Sequence, residues 1–180
     1  MQQPDLNEII YKCKCNNSDA FRKLVEMYQG PVFTFAFRML CNEDESKDIV
    51  QETFIRVWKH LDNYNIEMKF TTWLFTITSN LCCDKLRLRR RNSNIETIDA
   101  AKIFASIENL ETSAINSDLA KVIYTLTDKL TPKQKLVFTL RDLEGLEVEE
   151  VQMITGMTAG KIKSNLYLAR QFIKNKLEKM

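Results

Sequence analysis

At 180 residues, with 44% hydrophobic and 28% charged side chains, the chain suits one or two small packed domains and excludes a low-complexity or disordered polypeptide. A net charge of +2 excludes a uniformly acidic or strongly basic molecule, so the distribution of charge is what informs. Residues 1–92 carry 14 basic and 12 acidic groups, residues 93–129 carry 3 and 6, and residues 130–180 carry 9 and 6. Two positive ends around a negative middle are expected where two separate segments each meet an anion such as DNA.

Only 4 glycines and 3 prolines interrupt the chain, which predicts helix throughout. The 5 cysteines are an odd number without regular spacing, so reduced thiols are expected rather than a disulfide framework. His60 is the one histidine, and no second ligand pair accompanies the cysteines; neither a metal nor a cofactor is expected. No apolar run reaches 18 residues, and no basic-then-apolar leader opens the chain. A cytoplasmic protein without direct membrane insertion is expected.

In chain order, Ser18 is read as the cap of a helix running to about Gln29, with Phe21, Leu24, Val25 and Tyr28 at helical spacing. Gly30 and Pro31 should interrupt or kink it before an almost wholly apolar stretch from Val32 to Leu40. Asn42 to Glu45 supplies a cap and first-turn acids for the next helix, about residues 44–61. At about 100° per residue, Ile49, Val50, Thr53, Phe54, Val57, Trp58 and Leu61 fall in one core-facing arc. The opposite arc holds Asp48, Gln51, Glu52, Ile55 and Lys59. Ile55 is apolar among charges. It is either a lone exposed isoleucine or the centre of a partner-binding patch with a polar rim.

A polar loop over residues 62–69 leads to a helix over about 71–91. Trp73, Leu74, Ile77, Leu81 and Leu88 share one stripe of it, with Asn80 and Asp84 on or beside that stripe. Asp84 is read as half-buried and tied to a nearby arginine or a backbone amide, a structural role. Five of the seven residues from Lys85 to Arg91 are basic, and Tyr64, Phe70 and Trp73 lie just upstream. Cations that hold phosphate beside rings that accept unstacked bases suit partly unpaired nucleic acid. A core helix with a solvated basic end is the competing reading.

Residues 92–116 lose periodicity, and a short helix is expected near Ala100 to Leu110. Leu119, Val122, Ile123 and Leu126 mark the next amphipathic helix. Thr131 and Pro132 start another, with Leu136, Val137 and Leu140 on its apolar face and a stop near Gly145. Two helices then follow, Val148 to Thr155 and Ala159 to about Lys176, split by a turn at Gly156. Val151, Ile154, Met157, Ile162 and Leu166 have the spacing of a helix-turn-helix core. The second helix carries Lys161, Lys163, Ser164, Asn165 and Arg170, residue types that bind phosphate and base edges. A plain helical hairpin is the alternative.

The stretches DESKDIVQETFIRVWKHL (44–61), FTTWLFTITSNLCCDKLRLRRR (70–91) and LTPKQKLVFTLRDLEGLEVEEVQMITGMTAGKIKSNLYLAR (130–170), in this order, resemble the extracytoplasmic-function (ECF) sigma factors. The likeness covers about residues 18–92 and 118–177. It implies an all-α protein: an N-terminal domain over 1–92, a flexible linker over 93–117 and a C-terminal helix-turn-helix domain over 118–180. It implies a transcription initiation factor without catalytic residues, partnered by core RNA polymerase, by promoter DNA both duplex and melted, and by a membrane-bound anti-sigma factor. Asp48, Gln51, Glu52 and Ile55 fall where the family meets polymerase. Tyr64, Asn65 and Phe70 fall in or beside the loop that captures a flipped base of the −10 element. Asn80, Lys85, Arg87, Arg89, Arg90 and Arg91 fall along the helix that contacts that element. Lys161, Lys163, Ser164, Asn165 and Arg170 fall on the helix that enters the −35 major groove. Gln152 stands where the family has a small alanine, Thr155 where leucine is common, and Asn165 and Leu168 where arginine is frequent.

Two rivals belong to other classes. A helix-turn-helix regulator acting without polymerase explains residues 130–176 but not the two-faced 44–61 helix. A small nuclease or transferase needs a phosphate loop, a paired-carboxylate motif or a nucleophile with its base, and the sequence contains none of these.

Overall fold

The structure, a computed structural model, describes residues 6–92, 122, 126–127 and 129–178. The expected linker, its short helix near Ala100 to Leu110, and Leu119 and Ile123 lie outside the described residues. Every regular element among the described residues is helical. The elements are α1 (Leu6–Lys14), α2 (Ser18–Leu40), α3 (Glu43–His60), a 3-10 turn (Leu61–Asn63), α4 (Phe70–Asn92), α5 (Pro132–Phe138), a π-helical turn (Thr139–Leu143), α6 (Val148–Thr155) and α7 (Ala159–Leu177).

The caps explain the boundaries. Asn17, not Ser18, caps α2, because its Oδ1 accepts the Ala20 N–H at 2.9 Å. Pro31 sits inside α2 without breaking it. The carbonyl that loses its donor belongs to Met27, on an exposed stretch where water can serve it, and Leu24, Val32 and Phe35 anchor the helix on both sides. Cys41 ends α2 in the left-handed region (φ 50°), and Asn42 caps α3 by accepting the Glu45 N–H at 2.9 Å. Thr131 and Gln134 form a reciprocal capping box at α5.

The helix-turn-helix forms as the spacing predicts. Gly156 takes φ 67° and donates its N–H to Gln152 O, and Thr158 caps α7 by accepting the Lys161 N–H at 3.4 Å. Thr155, where the family favours leucine, bridges the turn: its hydroxyl donates to Val151 O at 2.6 Å and accepts the Met157 N–H at 3.2 Å.

Two apolar clusters hold the molecule. The first joins Ile9, Ile10, Leu24, Val32, Phe54, Val57, Tyr64, Phe70 and Leu74 from α1–α4 and the 61–69 loop. The second joins Phe35, Met39, Leu40, Ile49, Leu81 and Cys82 of α2–α4 to Leu136, Val137, Leu140, Val151, Ile154 and Ile162 of α5–α7. The C-terminal helices therefore pack on the N-terminal ones around a shared core. Ion pairs edge this junction: Arg38 to Glu144 at 2.7 Å and Lys69 to Glu150 at 2.8 Å. Burial in it pushes the Cys82 thiol well up and the Cys83 thiol up to about 11.

Candidate nucleic-acid and protein interfaces

On α3 the outward face is polar with an apolar centre. Asp48 and Gln51 are exposed, Glu52 is half-buried and paired to Arg56 at 2.8 Å, and Ile55 is 47% exposed. Trp58 corrects the core arc: it is 39% exposed. Its ring meets Phe21 edge-on at 4.7 Å, and the remainder faces solvent one turn from Ile55. The signal was available, since Trp58 stands three residues after Ile55 and four before Asp62, at the margin of the buried arc.

The loop after α3 rests on aromatic rings. Tyr64 is 5% exposed and Phe70 is buried. They pack at 5.4 Å, and Trp73 lies 5.1 Å from Tyr64 and Tyr28 lies 5.0 Å from Phe70. The Tyr64 hydroxyl donates to Met68 O at 2.5 Å. These two rings thus form the floor of the loop and are not open stacking surfaces. Between the buried Tyr64 and the half-buried Met68, Asn65, Ile66 and Glu67 are exposed and form the loop tip. Asn65 Oδ1 accepts the Glu67 N–H at 2.9 Å, an Asx turn that leaves its amide nitrogen outward.

The basic run of α4 is divided by the helical period. Asn80, Asp84, Arg87, Leu88 and Arg91 are exposed and, at about 100° per residue, share one outward stripe. Asp84 and Leu88 therefore face solvent, where the sequence predicts them on or beside the buried stripe; the arginine partner expected for Asp84 is Arg87, at 2.6 Å. Lys85 and Arg89 turn the other way. Arg89 donates to Leu40 O at 2.8 Å and to the Glu45 carboxylate, and Lys85 Nζ lies 3.9 Å from Glu45. Arg89 thus serves a C-terminal carbonyl of α2 and, with Lys85, ties α4 to the first turn of α3, while Arg90 is exposed beside the stripe.

On α7, Lys161, Lys163 and Ser164 are exposed. Asn165 is half-buried, and its amide donates to Lys161 O at 2.7 Å. Arg170 is held by Asp142 through two bonds of 2.9 and 2.6 Å, which keep its guanidinium firmly protonated and tie α7 to the π-helical turn. Tyr167, 65% exposed, and Leu168 occupy the outward face one turn beyond Ser164, where the residue types that bind phosphate and base edges do not point to them. Among the described residues no group of three histidine, cysteine or carboxylate side chains could hold a metal ion, and no helix is long and apolar enough to cross a membrane.

The arrangement is thus a two-faced α3, a polar loop on an aromatic floor, a cationic stripe and a helix-turn-helix. The family model Sigma-70 region 2 matches residues 24–92, and Sigma-70, region 4 matches residues 120–173. The ECF RNA polymerase sigma factor SigW of Bacillus subtilis is 28% identical over 176 residues, 93% of this chain and 94% of the relative. The ECF RNA polymerase sigma-E factor of Escherichia coli (strain K12) is 28% identical over 178 residues, 94% of this chain and 93% of that one. The chain belongs to the ECF sigma factors. As such it is a promoter-recognition transcription initiation factor. Two solved structures share its fold. CnrH in complex with the cytosolic domain of CnrY superposes with a TM-score of 0.67 at 20% identity, covering 94% of this chain and 95% of that one. RpoE in complex with the anti-sigma factor NepR from Bartonella quintana superposes with a TM-score of 0.68 at 24% identity, covering 88% and 96%.

Proposed function

We propose that this sigma factor divides its work among three surfaces. The outer face of α3, Asp48, Gln51, Glu52 and Ile55 with Trp58 added, docks on core RNA polymerase. The 65–67 loop tip and the α4 stripe of Asn80, Arg87 and Arg91 engage the melted −10 element. The outer face of α7, Lys161, Lys163 and Ser164, enters the −35 major groove. The observation that carries this reading is the split of the α4 basic run: Lys85 and Arg89 turn to Glu45, whereas Arg87 and Arg91 stay exposed on one stripe with Asn80, Arg87 within reach of Asp84.

The chemistry is binding without bond making. Arg87 and Arg91 lower the cost of holding two phosphate strands apart by releasing counterions. A base that leaves the stack needs hydrogen-bond partners, and the projecting Asn65 amide offers both a donor and an acceptor. Lys161 and Lys163 flank the N-terminus of α7, whose free N–H groups add to the positive field over a phosphate. Two modest contacts on one chain reinforce each other by effective concentration. Lys85 and Arg89 support the fold of the α3–α4 corner, and Arg170 supports α7.

This reading extends to a cytoplasmic factor held by a membrane-bound anti-sigma factor; the structural relatives captured with the cytosolic domain of CnrY and with NepR motivate it. The test is run-off transcription with core polymerase on templates selected from a random promoter library. The triple replacement of Asn80, Arg87 and Arg91 by alanine should abolish the transcript while leaving helicity and polymerase binding intact. A chain that binds duplex DNA equally well alone and never co-purifies with polymerase would instead be a free helix-turn-helix regulator.

A further inference from the structure

Helix α1 lies outside the matched region-2 segment, yet it reaches into the loop assigned to base capture. Lys14, the last residue of α1, sends its ammonium to two carbonyls some fifty residues away. Nζ stands 3.1 Å from Tyr64 O and 3.4 Å from Asp62 O. The bond to Tyr64 O is partly buried, and Lys12, on the other side of α1, is occupied with Glu8 at 2.6 Å. On the far side of the loop tip, the Tyr64 hydroxyl holds Met68 O. Between these two anchors stand the three projecting residues, Asn65, Ile66 and Glu67. The backbone is therefore gripped at 62 and 64 by a cation and at 68 by a buried phenol, and the exposed tip stands between these anchors.

We propose that Lys14 is a positioning residue for −10 base selection: it presets the 65–67 tip by fixing the carbonyls at its base. The inference rests on the reading of this loop as the base-capture element. A carbonyl pair at the end of a 3-10 turn has lone pairs that water would otherwise serve, in several loop conformations. An ammonium has three donors and can hold both oxygens at once. Fixing the tip before DNA arrives removes the ordering cost on binding and keeps the Asn65 amide in one orientation. The effect falls on discrimination between bases, since a loosened tip can still touch DNA but can adapt to more than one base.

The experiment uses the full chain with core RNA polymerase and a random pool of forked, partly single-stranded DNA, whose bound fraction is sequenced. Lys14→Met should weaken the preference at the position that Asn65→Ala also alters, by about threefold to tenfold, the range of one hydrogen bond. Lys14→Arg should restore it. Melting temperature should fall by about 2–4 °C, the scale of one lost charge-assisted bond in a chain of this size, polymerase affinity should match the parent, and amide exchange should quicken at residues 62–68 but not in α2–α4. If Asn65→Ala shifts the profile and Lys14→Met does not, the positioning role is wrong while the loop reading stands. If neither shifts it, the loop reading fails and takes this inference with it. A uniform loss over all sequences with a shallower salt dependence would make Lys14 a phosphate contact and overturn the proposal. Should Lys14→Met not fold, Lys14→Gln with the same exchange measurement decides it.

Discussion

Ile55 shows how one side chain can separate binding from folding. It is nearly half exposed, so replacing it removes little buried area, whereas an apolar centre with a polar rim is where interface energy concentrates. Ile55→Glu should leave the melting temperature unchanged and weaken polymerase binding by about 2 kcal/mol or more; equal affinity for variant and parent, by titration calorimetry, would remove α3 from the interface. The arginines of α4 offer the complementary contrast. Arg89 is mostly buried between Leu40 O and Glu45, and Arg91 is exposed. Arg89→Ala should lower stability by about 1–2 kcal/mol, the scale of a charge-assisted bond to a backbone carbonyl. Arg91→Ala should leave stability alone and weaken DNA binding on all sequences with a reduced salt slope. Denaturation curves and salt-dependent binding of the two variants, side by side, check this division.

Elements are set by their caps and by which residues the helical period exposes. Gly156 has open space where a Cβ would stand but a backbone φ of 67°. Gly156→Ala should therefore cost about 1 kcal/mol from conformation alone, without a clash. A larger loss in urea unfolding would mean that the turn moves α7 out of register with α6. The thiols of α4 report on the same scale. Cys83 is buried and pushed up to about 11, so at neutral pH its thiolate is a minute fraction, while Cys15 is exposed. A pulse of iodoacetamide should label Cys15 first, and labelling of Cys83 should grow with pH toward about 11. Early labelling of Cys83 at neutral pH would show that α5–α7 leave α4 often.

For the whole molecule, the question is what holds the C-terminal helices on the N-terminal ones. The ion pairs at the junction are partly or fully exposed to water and contribute on the order of 1 kcal/mol each, whereas each fully buried aliphatic side chain contributes about 1.5–3 kcal/mol. The apolar cluster around Leu81, Cys82, Val137, Leu140 and Val151 therefore dominates. Scattering should show a radius of gyration that stays constant as salt rises, and a larger one for Leu81→Asp; expansion with salt alone would assign the junction to charge. The Lys69–Glu150 pair has its own pH signature. Hydrogen bonding from Lys69, then from the Glu147 N–H, holds the Glu150 carboxyl below its usual 4.5. A depressed carboxyl stabilises the folded form above the unfolded value, and the contribution fades as pH falls through the lower folded value. The melting-temperature difference between the parent and Lys69→Met should be full above about pH 5 and shrink below pH 4.5.

Helix period, capping residues and turn glycines are local, so the chain by itself determined α3, α4 and the helix-turn-helix: Asn42, Thr131, Gly156 and Thr158 act through neighbours only three or four residues away. Local propensity also determined the polar outer arc of α3 with Ile55 at its centre. It misled on an interruption at Pro31: α2 continues because the freed Met27 carbonyl lies on an exposed stretch and Leu24, Val32 and Phe35 hold the helix on either side, and that burial is a tertiary matter. Side-chain roles within a basic or aromatic cluster were decided by packing. Tyr64 and Phe70 are apolar rings that the aromatic floor withdrew from solvent, and Lys85 and Arg89 were drawn inward by Glu45, a partner forty residues earlier. The reach of Lys14 to Tyr64 O and the shared core of the two halves are contacts between distant segments, and no periodicity along the chain encodes which surfaces meet. Local pattern states which face of a helix is apolar; only the folded chain states what covers it.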